Sequence, residues 1–196
     1  MIDSAREPDP RRLPPSCTYP GVRTLGLTGP AAGGKSYLLG LLEVAGAEVI
    51  ETDAVYRELI GPGSDLLARI EGAFPGVVAG DGSLDRAELG RRVFSDDAAL
   101  ERLNAIVHPP LGAAVARAVT DAAEAGARRI ALEAAVLFEI GADRLCDEVW
   151  FVACEAGERI RRLREVRGWS EERARRLVEG QGAMEQVRAR CDRVVD

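Results

Sequence analysis

The sequence predicts an α/β fold of three layers, in which helices cover both faces of a parallel, five-stranded β-sheet. Apolar segments of strand length alternate with segments of helical periodicity, and a glycine-rich loop joins the first strand to the first helix. Strands that alternate with helices form parallel sheets covered by helices. The chain has 196 residues, 46% of them hydrophobic, which suffices for one such domain with a sizeable core.

Residues 29–36, with the sequence GPAAGGKS, fit the phosphate-loop pattern G-x-x-x-x-G-K-[ST]. The apolar stretch 22–28 predicts a strand before them, and the leucine spacing after them predicts a helix that ends at Gly46. This order favours a P-loop NTPase fold over a chance match in a glycine-rich turn. The residues expected to bind the nucleotide are Gly29, Ala31, Ala32, Gly33, Gly34, Lys35, Ser36 and Tyr37.

Each part of this loop has a chemical role. Its glycines let the backbone curl so that N–H groups point at phosphate oxygens. Lys35 neutralises charge between the β- and γ-phosphates, and the Ser36 hydroxyl is placed to bind a Mg²⁺ that bridges them. ATP and Mg²⁺ are therefore the predicted cofactors.

Four more strands are predicted, at residues 47–51, 129–133, 147–152 and 192–195. Residues 54–127 contain no convincing strand. They break into helices at 54–59, 64–74, 85–94 and from 96 onwards, and Pro109-Pro110 interrupts or restarts the last of these. We expect residues 54–127 to be an inserted helical lobe that holds a phosphoryl acceptor, within a kinase domain that spans residues 22–196.

The segment 155–190 is strongly basic, and Gly168-Trp169-Ser170 divides it into two predicted helices. Most of its arginines are expected to form Glu–Arg pairs on solvated helices. A sharper interpretation is that one or two of them close over ATP as a lid, because the planar guanidinium matches phosphate oxygens.

Two carboxylates and one histidine are candidate site residues. Asp53 follows the second strand, at the sheet edge where ligands gather, and is either a base for an acceptor hydroxyl or only the cap of a helix beginning at Ala54. Glu133 ends the third strand and either holds Mg²⁺, often through water, or pairs with an arginine. His108 is expected to be a structural residue bonded to backbone, with contact to the acceptor as the alternative.

Composition excludes several classes of protein. The net charge of −6 argues against a general nucleic-acid binder. The four cysteines form no C-x-x-C pair and predict reduced, mostly buried thiols in a cytoplasmic protein. No apolar run reaches the ~18 residues that a membrane span needs. Residues 1–21 are rich in proline and charge and lack the apolar part of a signal peptide, so we expect a flexible extension, with a regulatory or partner-binding arm as the alternative.

Seven segments, taken in order, resemble the dephospho-coenzyme A kinase family over roughly residues 24–196. Arg162 and Arg167-Gly168 lie like the lid arginines of that family, and Gln181 also matches. The order and spacing of the segments are specific, although only the phosphate loop is decisive by itself. The segments are residues 25–36 with the phosphate loop, VIETD (49–53), DGSLDR (81–86), VFSD (93–96), LNAIVHP (103–109), AAVLFE (134–139) and DRVVD (192–196).

The resemblance implies ATP-dependent phosphorylation of the ribose 3′-hydroxyl of dephospho-coenzyme A, the last step of coenzyme A synthesis. It implies Asp53 as the base, and Lys35 with Arg162 or Arg167 as groups that stabilise the transferred phosphoryl group. It also implies that the acceptor lies near three residues of the matching segments: His108, Leu137 and Phe138. We expect a monomer or weak homo-oligomer that binds neither nucleic acid nor membrane.

The chain departs from the family pattern at four positions. Ala32 replaces a loop glycine, Tyr37 replaces the usual threonine, Glu51 replaces an aspartate and Ala135 replaces a proline. Two alternatives therefore stay open. One is a P-loop kinase for another small hydroxyl or nucleotide acceptor, and the other is a nucleotide-binding module with weak catalysis.

Overall fold

A computed structural model describes residues 19–94, 96–181 and 184–196. The strands form one sheet in the order β2-β3-β1-β4-β5, and the pairs β1–β3, β1–β4 and β4–β5 are parallel. The predicted α/β fold is confirmed, and each strand begins and ends within one residue of its predicted bounds. The strands are β1 (Arg23–Thr28), β2 (Glu48–Glu51), β3 (Arg129–Glu133), β4 (Glu148–Val152) and β5 (Arg193–Val195).

Helices join these strands in the expected alternation. One helix joins β1 to β2, four follow β2, and three lie between β4 and β5, where the sequence predicted two. A short 3₁₀ helix, Ala142–Leu145, precedes β4. The helices are α1 (Lys35–Val44), α2 (Thr52–Leu59), α3 (Asp65–Ala73), α4 (Arg86–Val93), α5 (Asp97–Glu124), α6 (Ala156–Glu165), α7 (Glu171–Gly180) and α8 (Met184–Arg190).

The expectation that Pro109-Pro110 interrupts or restarts a helix is wrong, because α5 continues through both prolines. A proline inside a helix removes a backbone hydrogen bond and crowds the preceding turn. A stripe of apolar side chains at every fourth position of α5 is buried, and this burial outweighs the lost bonds. The stripe consists of Val107, Leu111, Val115 and Val119.

Residues 19–50 and 119–196 form one compact unit, and Glu51–Ala118 forms another. In the first unit, Leu27 of β1, Leu39 of α1 and Ala131 of β3 pack together in the core. Gly26 lies in the middle of β1, where an added Cβ atom would approach Cys146 Sγ to 2.8 Å. Glycine at this position therefore allows the chain after β3 to pack closely on the sheet.

In the second unit, the turn after α3 depends on one carboxylate. Glu71 accepts hydrogen bonds from the backbone N–H groups of Gly76, Val77 and Val78 at 2.6, 3.0 and 2.9 Å. The bond from Gly76, followed by those from the other two residues, lowers the pKa of the Glu71 carboxyl against the opposing effect of desolvation. The role of this unit as an acceptor lobe stays a prediction.

Cys146 and Cys191 are buried, as the sequence predicted, and Cys154 is half-buried; all three are free thiols. Cys17 and residues 1–18 of the predicted extension lie outside the described residues. Within the described ranges, none of the helices has both the length and the apolar character needed to cross a membrane.

Candidate active site

The phosphate loop connects the end of β1 to the start of α1. Gly29 has a φ of 140°, and an added Cβ atom would lie 2.5 Å from the carbonyl oxygen of Val152 at the end of β4, so only glycine fits this close approach. Gly34 has a φ of 109° and is the N-cap residue of α1. The Gly33 N–H donates to the Pro30 carbonyl at 3.1 Å and closes the turn. The loop therefore sits at a helix N-terminus, an arrangement that binds anions.

Lys35, the first residue of α1, folds back over the loop. Its Nζ donates to the carbonyls of Gly29 and Pro30, both at 3.1 Å, and lies 3.6 Å from Glu133 Oε1. Both side chains are largely buried, being 10% and 13% exposed. Glu133 reaches this position because β3 pairs with β1, with Leu27 opposite Glu133 in the ladder. The structure thus brings together two side chains that the sequence assigned to the nucleotide side.

Ser36 and Glu133, the predicted metal ligands, offer hydroxyl and carboxylate oxygens, which are the donors that Mg²⁺ prefers. Ser36 is exposed in the first turn of α1. Over residues 19–94, 96–181 and 184–196, no group of three or more His, Cys, Asp or Glu side chains is placed to hold a metal. The two side chains fit a Mg²⁺ that takes its remaining ligands from water and nucleotide phosphates.

Helix α6 brings Arg162 to the loop. Arg162 Nη1 donates to the Ala32 carbonyl at 3.3 Å, and its Nε donates to Glu158 Oε1 at 2.8 Å. Hydrogen bonds from Arg161 and then Arg162 lower the pKa of the Glu158 carboxyl to about 2. Arg167, the other predicted phosphate contact, is exposed in the turn after α6 and makes no hydrogen bond or ion pair with the described residues.

Most other arginines of α6 and α7 form the surface pairs that the sequence predicted. Arg161 pairs with Glu165, and Arg175 pairs with Glu171. Such exposed pairs contribute little to stability. These arginines are therefore solvated residues of the helix surface.

Sequence reasoning missed Arg159, which is 7% exposed and is the one charged residue that is buried among the described residues. Its Nε donates to the Ala31 carbonyl at 2.9 Å, and its Nη2 donates to Gln181 Oε1. Burial lowers the pKa of Arg159. The spacing in the sequence could have indicated this role. Arg159 lies three residues before the predicted phosphate contact Arg162, so the two side chains share one helix face.

Asp53, the predicted base, is exposed in the first turn of α2. The alternative that it caps a helix beginning at Ala54 is wrong, because α2 begins at Thr52 and Glu51 occupies the N-cap position. The Asp53 carbonyl accepts a hydrogen bond from Arg57 Nε at 3.2 Å, whereas its carboxylate has no hydrogen-bond partner in the described part of the chain. Its assignment as the base stays a prediction.

The other predicted acceptor contacts differ in exposure. His108 is half-buried in α5, and its imidazole makes no hydrogen bond within the described ranges, which leaves the backbone-bonded interpretation unsupported. Leu137 is fully buried against Gly26. Phe138 is half-buried, and the guanidinium carbon of Arg190 lies 4.0 Å from its ring centroid. Acceptor binding by these residues stays a prediction.

A parallel sheet with a glycine loop between β1 and α1, and a lysine folded over that loop, defines a P-loop protein that uses a nucleotide. The family within this class is also clear. The model of the family described as dephospho-CoA kinase matches residues 23–196, and the chain belongs to that family. The resemblance found in the sequence is confirmed.

Individual relatives agree. The chain is 40% identical over 176 residues to the dephospho-CoA kinase of Symbiobacterium thermophilum, covering 89% of this chain and 74% of the relative. It is 36% identical over 176 residues to that of Corynebacterium diphtheriae, covering 89% and 88% of the two chains. A crystal structure from Thermus thermophilus matches with a TM-score of 0.72 at 31% identity, covering 88% of this chain and 87% of the other. A dephospho-CoA kinase structure from Campylobacter jejuni shares the fold, with a TM-score of 0.62 at 20% identity over 88% of this chain and 86% of the other.

Proposed function

We propose that this chain is a dephospho-coenzyme A kinase, which transfers the γ-phosphoryl group of ATP to the ribose 3′-hydroxyl of dephospho-coenzyme A. The observation that carries this proposal is the Lys35 ammonium, held over the phosphate loop by two loop carbonyls and beside Glu133. Family membership supplies the acceptor. The products are coenzyme A and ADP.

On the donor side, the residues act by charge and position rather than by covalent chemistry. The loop N–H groups and the N-terminus of α1 hold phosphate oxygens, and Lys35 neutralises charge that develops on the transferred group. Arg162 supports the same role, because its guanidinium already contacts the loop at Ala32. Arg167 is the second candidate arginine, and it is exposed and pairs with none of the described side chains.

On the acceptor side, we propose that Asp53 is the base that accepts the proton of the 3′-hydroxyl. The 3′-oxygen forms a bond to the γ-phosphorus while the bond from that phosphorus to the bridging oxygen of ADP breaks. The hydroxyl proton passes to the Asp53 carboxylate. An exposed carboxylate that accepts no hydrogen bond from the described residues suits this task.

Ser36 and Glu133 would hold the Mg²⁺, which neutralises phosphate charge when bound. We also propose that the protein acts in the cytoplasm as a monomer or weak homo-oligomer. This prediction of location rests on the cysteine pattern of the sequence, which suggests no disulfide framework.

The test measures ADP release from ATP and Mg²⁺ with dephospho-coenzyme A as the acceptor, and ³¹P NMR locates the new phosphate on the ribose. We expect turnover that requires both the acceptor and Lys35, with Lys35→Ala as the inactive control. Adenosine, AMP and a sugar serve as alternative acceptors. Faster turnover with one of these, or tight ATP binding without any transfer, would overturn the proposed acceptor or the proposed reaction respectively.

A further inference from the structure

Arg159 is a buried cation whose hydrogen-bond partners carry no negative charge, although the nearby Cys154 thiol raises its pKa against the larger effect of burial. Among the described residues, its guanidinium donates only to the backbone carbonyl of Ala31 and the side-chain oxygen of Gln181. A buried ion without an opposite charge is strongly unfavourable, so its presence needs a compensating partner or a function. The neighbouring Arg161 shows the contrast, because it is exposed and paired with two glutamates, Glu158 and Glu165.

The partner of Arg159 at Ala31 is part of the phosphate loop. In a trans peptide the carbonyl of one residue and the N–H of the next point in opposite directions, and the described chain has no cis peptide. When Arg159 holds the Ala31 carbonyl, the Ala32 N–H must therefore point away from α6. That N–H donates to no acceptor within the described residues, so it is available to a phosphate oxygen.

The next carbonyl in the loop is held from the same helix face. Arg162 donates to the Ala32 carbonyl, and Ala32 has a φ of 59°, which is unfavourable for a residue with a side chain. Two arginines three residues apart thus hold two successive carbonyls of a strained segment. The two guanidiniums support one loop conformation, and Gln181 links Arg159 to the end of α7.

We propose that Arg159 is a positioning residue for the nucleotide, and that the phosphates of ATP supply the negative charge that its two hydrogen-bond partners do not. It orients the Ala31–Ala32 peptide and adds a fixed positive charge behind the phosphate loop. This inference rests on the nucleotide-binding part of the proposed function and not on the identity of the acceptor. The contribution of Arg159 to the binding free energy increases with the negative charge of the ligand, so Arg159 should favour the binding of ATP more than that of AMP.

The experiment compares the wild type with Arg159→Gln, Arg159→Lys and the matched control Arg161→Gln. Calorimetry measures the dissociation constants of ATP, ADP and AMP, and thermal unfolding measures Tm with and without ATP. We expect Arg159→Gln to weaken ATP binding about ten-fold or more, with a smaller loss for AMP. Because a buried unpaired charge is removed, Tm without ligand should not fall. Arg159→Lys should keep most of the preference for ATP over AMP, and Arg161→Gln should bind all three ligands like the wild type.

A merely structural role predicts the reverse pattern. Arg159→Gln would then lower Tm without ligand while the ratio of ATP to AMP affinity stayed at the wild-type value, and that result would overturn the inference. Should Arg159→Gln not fold, Arg159→Lys decides: loss of the preference for ATP in a folded lysine variant refutes the role of the charge. Failure of the proposed function would give a different result. A protein that needs Arg159 for ATP affinity but does not phosphorylate dephospho-coenzyme A would refute the proposed acceptor and leave the role of Arg159 standing.

Discussion

Replacing Lys35 with methionine tests whether the phosphate loop and β3 are joined by an ion pair. Methionine keeps the length and apolar stem of the side chain but removes the ammonium. The loop carbonyls of Gly29 and Pro30 lose a donor, and Glu133 loses a cation 3.6 Å away. Both effects destabilise the folded state, so the variant should unfold more easily as well as lose activity.

The magnitude follows from the distance and the burial of the pair. At 3.6 Å and an effective dielectric constant of about 20, the Coulomb attraction is about 4–5 kcal/mol. Desolvation of two largely buried charges offsets much of this, which leaves a coupling energy of about 1–3 kcal/mol. We expect Lys35→Met to lower the free energy of unfolding by about 2–4 kcal/mol. Adding Glu133→Gln to Lys35→Met should recover about 1 kcal/mol or more.

The assay is urea unfolding of the wild type, the two single variants and the double variant, with equal m-values as the check on two-state behaviour. Activity cannot answer the question, because every variant without Lys35 loses phosphoryl transfer. If the two single changes add to the double change within about 0.5 kcal/mol, the pair does not couple and the reasoning is refuted.

Three further predictions concern single residues. Asp53→Asn should lower kcat by about 10²-fold or more, measured by ADP release, while calorimetry should show little change in ATP affinity. The control variant Asp65→Asn in α3 should keep the wild-type kcat. Near-normal turnover of Asp53→Asn would show that Asp53 is not the base. Ala32→Gly relieves the left-handed backbone strain of the folded state, which stabilises it by about 1–2 kcal/mol. The greater entropy of glycine in the unfolded chain opposes this gain by about 0.5–1 kcal/mol. Thermal unfolding should therefore show an unchanged or slightly raised Tm, and a clear fall in Tm would contradict the strain argument. Glu71→Gln should destabilise the protein at pH 7. Since the folded pKa of Glu71 is lowered from 4.5, its contribution is fully present above pH 4.5 and is lost as the pH falls through the folded value. Unfolding curves from pH 7 down to pH 3 should therefore converge, and a constant difference would show that the carboxylate charge plays no part.

The donor side of the site was predictable because its parts are adjacent in the chain. The motif at residues 29–36 contains the glycines, Lys35 and Ser36, and the strand and helix around it have local hydrophobic patterns. The position of Glu133 at the end of β3 was also predicted, and its role as a metal ligand stays a prediction. Its pairing with Lys35 was not predicted, since that contact depends on β3 lying directly beside β1.

Local sequence patterns could not identify which arginines contact the phosphate loop. The sequence predicted a basic helical segment, but several arginines in it have the same composition signal and the same glutamate neighbours. Among the arginines of this segment that the structure describes, Arg159 and Arg162 are the two that donate hydrogen bonds to the loop, and the carbonyls they bind lie 128 and 130 positions earlier in the chain. A side chain of α6 meets that loop because β4 pairs with β1 and delivers α6 to the carboxyl end of the sheet.

The sequence by itself determined the class of protein, the order of the strands along the chain and the residues of the phosphate loop. Each depends on neighbours within a few residues, where periodicity and glycine content are sufficient signals. The tertiary structure decided that α5 passes through two prolines, that Glu133 pairs with Lys35, and that a buried Arg159 supports the loop. These features depend on burial and on strand pairing between distant segments, which no local pattern encodes.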